Sequence, residues 1–129
     1  MQFGRRTLLL FLTVGIVLEA FHGFKIGAYL KVSNETRRLL WTLAHAHGTL
    51  LALVNIALAF TIPALPKWPE GSRKFASNSH LTATILMPAG FFLGGAFIYA
   101  GDPGFGILLL PIGAIFLFLS VLLTARAAR

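Results

Sequence analysis

Four long apolar runs, separated by short polar gaps that hold most of the charge, limit most severely what this chain of 129 residues can fold into. They cover residues 7–25, 39–62, 80–99 and 105–124. Each is close to the roughly 20 residues that a helix needs to cross a hydrocarbon core of about 30 Å. Within lipid every backbone N–H and C=O must be paired by protein, and a helix pairs its own. The runs therefore predict an all-α integral membrane protein: a single domain over residues 1–129 whose four transmembrane helices form an up-and-down bundle, because short connections favour antiparallel neighbours. Composition agrees, with 57% hydrophobic and only 12% charged residues. That is too apolar for an ordinary soluble domain, and four spans leave no room for a separate one.

Local signals place the boundaries. Ser33-Asn34-Glu35-Thr36 offers caps and an acidic first turn ahead of the second span, and Pro63 ends it. Pro66, Pro69 and Gly71 keep the next segment a loop, and Gly101-Asp102-Pro103-Gly104 reads as a turn. Pro88 falls inside the third span, where helices in lipid tolerate proline. Gly4-Arg5-Arg6 before the first run gives it the look of a signal peptide, but Leu18-Glu19-Ala20 fits a cleavage site poorly, and the run reads as a retained helix. Gly90, Gly94 and Gly95, with Gly106 and Gly113, would let the last two spans approach closely, to each other or to another subunit.

The net charge of +7 comes as short basic pairs at span ends. That pattern suits anionic lipid headgroups, and no basic stripe with interleaved aromatics is present for nucleic acid. Arg5, Arg6, Lys67, Arg73, Lys74, Arg126 and Arg129 fall on the side that also holds both termini; Lys25, Lys31, Arg37 and Arg38 fall on the other. Seven against four puts both termini in the cytoplasm of a bacterial-type inner membrane. Tyr29, Trp41 and Tyr99 would then form an outer aromatic belt, with Trp68 at the inner surface, and Arg37 and Arg38 would meet headgroups.

Ionisable residues inside lipid are costly unless paired, so Glu19, His22, His45 and His47 are the first candidates for chemistry. Threading the spans puts all four in the outer half of the bilayer. Glu19 and His22 share a helical face, whereas His45 and His47 lie about 200° apart, so only one of them can meet the same partner. Gly48, Leu51 and Asn55 continue from His47, which makes it the better inward candidate and leaves His45 for another chain. Glu19, His22 and His47, with His45 nearby, would suit copper, zinc or iron. His22 with His47, or His47 from two subunits, could ligate haem b from both sides.

The same histidines could instead act as hydrogen-bonding glue between helices, the polar counterpart of a structural or assembly subunit. An oligomeric proton or ion transporter is a third reading, with Asn55 and Thr84 as a cross-helix pair, although the fourth span offers no polar stepping stones. His80 reads as a helix-start or interfacial residue. Cysteine is absent, which removes disulfides, thiolate metal sites and cysteine nucleophiles. No nucleophile elbow, His-Glu-x-x-His motif or phosphate loop occurs, so any enzyme activity would have to sit within the bundle.

Three stretches carry a resemblance: Glu19-Ala20-Phe21-His22-Gly23-Phe24-Lys25 after the first span, Ala44-His45-Ala46-His47-Gly48 in the second, and Leu110-Pro111-Ile112-Gly113 in the fourth. They resemble the small four-span membrane proteins of unknown-function family 423, which have Gly-Ala-Phe-Gly-Ala-His-Gly, a histidine and Thr-Pro-x-Gly-Gly in the corresponding places. This chain departs from that pattern with Glu19 at the first glycine, His22 directly after Phe21, and a single glycine after Pro111 and Ile112. The resemblance implies a four-span fold and no activity, and it carries over His22 and one of His45 or His47. The first reading is thus a module that binds a metal ion or haem in the outer half of the bilayer, in a homo-oligomer or as a subunit of a membrane complex.

Overall fold

The computed structural model describes residues 1–31 and 35–129, so the capping role read for Ser33 and Asn34 lies outside the described residues. The chain is all-α, with helices α1 (Gln2–Gly23), α2 (Gly27–Leu30), α3 (Glu35–Thr61), α4 (Glu70–Ala96) and α5 (Leu109–Ala127), and 3-10 turns at Ile62–Ala64 and Phe105–Leu108. The breaks follow the expected punctuation. Pro63 sits in the 3-10 turn that closes α3, and Pro69 stands immediately before α4. At the 101–104 turn, Tyr99 and Asp102 exchange backbone hydrogen bonds of 3.1 and 2.9 Å around Ala100 and Gly101, both at positive φ. Thr36 Oγ1 ties the turn back to α3 by donating to the Gly101 carbonyl at 2.7 Å.

The long helices pack in the order α1, α3, α4, α5, each against the next. Neighbours run antiparallel. Gly4 faces Asn55 and Gly15 faces His45 across α1 and α3, Arg37 reaches Gly95 while His80 reaches Leu51 across α3 and α4, and Gly94 faces Ile107 while Gly113 faces Met87 across α4 and α5. One end of the bundle therefore collects the start of α1, the 62–69 connection and the end of α5. The other collects residues 24–31 and the 97–104 connection.

Among the described residues three stretches are long and apolar enough to cross a membrane: Gln2–Gly23, Glu35–Ala64 and Phe105–Ala127. The four-span expectation is met only this far, because α4 is as long as α3 but starts at Glu70, ten residues before the third apolar run, and includes a polar first half. Its place explains that composition. It lies between α3 and α5 and buries Ala76, Ser79, His80, Ala83, Thr84, Pro88, Gly90, Gly94 and Gly95, so its polar groups meet protein. Large apolar side chains such as Ile16 of α1, Phe60 of α3, and Ile115 and Phe118 of α5 stand exposed, a surface suited to lipid.

Close helix approach rests on glycine. A Cβ on Gly90 would lie 3.2 Å from the Leu110 backbone, one on Gly94 would lie 3.3 Å from Ile107, and Gly106 and Gly113 receive Leu93 and Met87 in return. These glycines pack α4 against α5 within one chain, the first of the two uses read for them. Gly95 has a different partner, the Trp41 indole.

The expected aromatic belt is instead largely internal. Tyr29 and Trp68 are only 4% and 6% exposed, while Tyr99 projects freely at 84%. Phe21, Tyr29, Trp41 and Phe92 stack in sequence, with centroids 6.1, 6.4 and 5.4 Å apart, and stitch α1, α2, α3 and α4 together. Arg37, expected at the headgroups, makes contacts within the bundle. Its guanidinium lies over Trp41 at 5.8 Å and donates to the Gly95 carbonyl at 3.1 Å and the Ala28 carbonyl at 3.3 Å, capping the stack. Trp68 Nε1 donates to Ser72 Oγ at 3.1 Å, which fixes the start of α4.

Candidate functional site

The four residues singled out from sequence are not gathered into one ligand set. Among the described residues no group of three or more His, Cys, Asp or Glu side chains is arranged to hold a metal ion. The reason is axial as well as angular. His45 lies level with Gly15, and His22 is seven residues, or about 10 Å, further along α1. The two histidines of α3 diverge as the helical angle requires, but in the opposite sense to the one expected.

His45, read as the less inward of the two, is the residue turned toward α1. Its Nδ1 donates to the Phe11 carbonyl at 2.7 Å, and its ring lies so close to Gly15 that a methyl group there would overlap it. Phe11 in turn covers Gly48. His47 faces away from α1. Its Nδ1 donates to the Leu43 carbonyl of its own helix at 2.9 Å, and its ring rests on Phe91 of α4 with centroids 4.7 Å apart. Because α3 sits between α1 and α4, each histidine fills one of its two interfaces.

Glu19 and His22 remain exposed near the end of α1, where they line an open cavity of about 750 Å³ with Tyr29, Glu35, Arg38 and Thr42. Glu35 and Arg38 form an exposed ion pair at 3.8 Å across that cavity, and Tyr29 Oη is hydrogen-bonded to Thr42 Oγ1 at 3.3 Å. Two candidate ligands, one carboxylate and one imidazole, are thus together here without His45 or His47.

The polar group with the most complete surroundings is the one read as interfacial. His80 is 1% exposed, as are Thr84 and Ser120. Its Nε2 donates to the Leu51 carbonyl at 3.3 Å, and the same carbonyl accepts from Asn55 Nδ2 at 3.2 Å. Asn55 Nδ2 also donates to Thr84 Oγ1 at 2.7 Å, and that hydroxyl donates to the His80 carbonyl at 2.8 Å. The result is a closed loop of hydrogen bonds joining α3 and α4. The Asn55–Thr84 pair was legible in the sequence. His80 was missed, and the available signal was its spacing: Ala76, His80, Ala83 and Thr84 recur at one helical face, small residues alternating with polar ones, which marks a packed face.

Chemically this arrangement is self-contained. Among the described residues no buried side-chain nitrogen or oxygen lacks a hydrogen-bond partner. Comparison with protein-family models, with curated proteins and with solved structures gives no match to this chain.

Proposed function

We propose that this chain is an integral membrane protein that crosses the bilayer four times and serves as a structural or assembly subunit of a membrane complex. One observation carries the reading: His45 and His80 each donate to a main-chain carbonyl of a neighbouring helix, and the His47 ring packs on Phe91 of α4, so all three histidines join helices of the bundle. At 27 residues α4 is about 40 Å long, enough to span, and its buried His80 and Thr84 are hydrogen-bonded to α3. The basic excess at the end holding the termini supports a cytoplasmic location for them in a bacterial-type inner membrane. The likeness to unknown-function family 423 fits the same four-crossing plan.

A second reading, a metal ion or haem bound in the half of the bundle near Glu19 and His22, draws on the cavity those two residues share. It would need the remaining ligands from a second copy or a partner. Elemental analysis and absorption spectra of gently purified protein separate the two readings. The structural reading expects no stoichiometric metal and no porphyrin band, and a stoichiometric metal or haem that disappears in His22→Ala overturns it.

The crossing of α4 has its own test, made simple by the absence of native cysteine. In intact cells a membrane-impermeant thiol reagent should label Asp102→Cys, and should reach Lys67→Cys only after lysis. Labelling of both from the same side means that α4 does not cross, and the four-crossing plan fails.

A further inference from the structure

We infer that the valley between α1 and α4 holds one acyl chain of a phospholipid with an anionic headgroup, drawn from the leaflet nearest the chain termini. This rests on the membrane reading above. The valley is an apolar space of about 410 Å³ walled by Phe3, Leu10, Val14, Ile85 and Phe92, with Ala44 of α3 at its floor. That volume falls in the range of small-ligand sites, roughly 300 to 1,000 Å³.

Its length and the place where its lining ends identify the occupant. From Thr7, where the first apolar run begins, to Val14 is seven residues, about 10 Å of helix, which keeps the lining on α1 within one leaflet of a hydrocarbon core about 30 Å thick. On the α4 side the lining ends at Phe92, whose ring stacks on Trp41 with centroids 5.4 Å apart. A partner's transmembrane helix needs a groove that runs through both leaflets, whereas a lipid tail needs one that ends at the midplane. Toward the termini the valley continues into a smaller, more polar cavity bordered by Phe3, Asn55 and Ser77, which is where a headgroup would begin.

Charge at this mouth selects the headgroup. The end of the bundle that holds it carries Arg5, Arg6, Lys67, Arg73, Lys74, Arg126 and Arg129 against a single acid, Glu70, which is paired with Lys74 at 2.7 Å. Arg6 flanks the lining face of α1, and its long side chain can reach a phosphate while its stem stays on apolar surface.

Trp41 at that end of the lining is a built-in reporter. In a Trp68→Phe background the protein is reconstituted into vesicles in which phosphatidylglycerol or phosphatidylcholine is brominated near the methyl end of its tail. Trp41 quenching should reveal about a fivefold preference for the brominated anionic lipid, the size expected of one basic contact near the surface. Arg5→Gln/Arg6→Gln should remove the preference while leaving the bundle intact, and Ala89→Phe, which fills the valley, should remove the quenching itself. Equal quenching by both lipids overturns the proposal, as does shielding of Trp41 from both by a second copy seated in the valley. If the protein fails to float with the vesicles, the membrane reading falls and this inference with it; flotation without selectivity removes the inference alone.

Discussion

Replacing Gly104 with alanine is expected to loosen the α4–α5 hairpin more than any other substitution of one methyl group. A Cβ at this position would run into the carbonyl of Phe97, and unlike a side chain that atom cannot swing aside. The backbone there, at φ −67° and ψ 168°, is open to any residue, so the demand is for space and not for glycine's conformational freedom. Gly104 is also pinned, because its N–H donates to the Gly94 carbonyl at 2.9 Å and continues the pairing past the end of α4. Moving the loop outward to admit a methyl group would break that bond and lift Phe105–Leu108 from Gly94 and Leu93. Overpacking of this kind costs about 1 to 3 kcal/mol where side chains can adjust, and a backbone collision belongs at the upper end. Gly71→Ala, in the first turn of α4 with nothing within 4 Å of the added methyl, is the matched control and should be neutral or slightly stabilising. Denaturant unfolding in mixed micelles, with limited proteolysis across residues 97–108, gives both values. A Gly104→Ala protein as stable as Gly71→Ala would mean that the hairpin is not closed as described.

The same hairpin indicates how far the sequence could be read. The Gly101-Asp102-Pro103-Gly104 turn, the Gly90 to Gly94 spacing and the Pro63 stop were all legible because each is set by neighbours in sequence. Counting apolar residues was informative for α1, α3 and α5 because it measures a demand imposed by surroundings, and those helices expose much of their surface. It failed at the start of α4, where the surroundings are protein: Ser79, His80 and Thr84 look polar in the sequence but are buried in the fold, and His80 and Thr84 are hydrogen-bonded there. The candidate site failed for a related reason. Placing Glu19, His22, His45 and His47 in one layer needed the relative slide of α1 and α3, and nothing in either helix alone fixes it. The slide is set where Gly15 admits the His45 ring and Gly48 admits Phe11, two matches of a hole to a bulky side chain that become visible only once the helices are paired. The belt reading of Tyr29 and Trp68 went wrong likewise, since an aromatic at a span end can face lipid or fold inward under a short connection.

His80→Ala is expected to be the most destabilising of the histidine replacements, by about 2 to 4 kcal/mol, and to do so without removing any bound group. The imidazole is 1% exposed, so truncation leaves a cavity and forfeits contacts that a partly collapsed interface does not recover. Hydrogen bonding is the smaller part of the loss. Interhelical bonds in membranes contribute on average about 0.6 kcal/mol and rarely more than about 1.7, because a displaced group finds other partners. Thr84→Val, which keeps the volume and deletes the hydroxyl between Asn55 and the His80 carbonyl, should accordingly cost about 1 kcal/mol. The two changes touch one closed loop, so His80→Ala combined with Asn55→Ala should destabilise by less than the sum of the singles, since both side chains donate to the Leu51 carbonyl. His22→Ala supplies the contrast. That side chain is exposed on an open cavity, and its loss should fall within about 0.5 kcal/mol of wild type. Unfolding of the five variants, the Asn55→Ala single included, in one micelle system orders them: a His80→Ala protein no weaker than His22→Ala, or strict additivity with Asn55→Ala, would deny His80 its role as the fastener between α3 and α4. A large His22 effect with a small His80 effect would instead move the centre of importance to the cavity beside Glu19, and with it the case for a bound ligand.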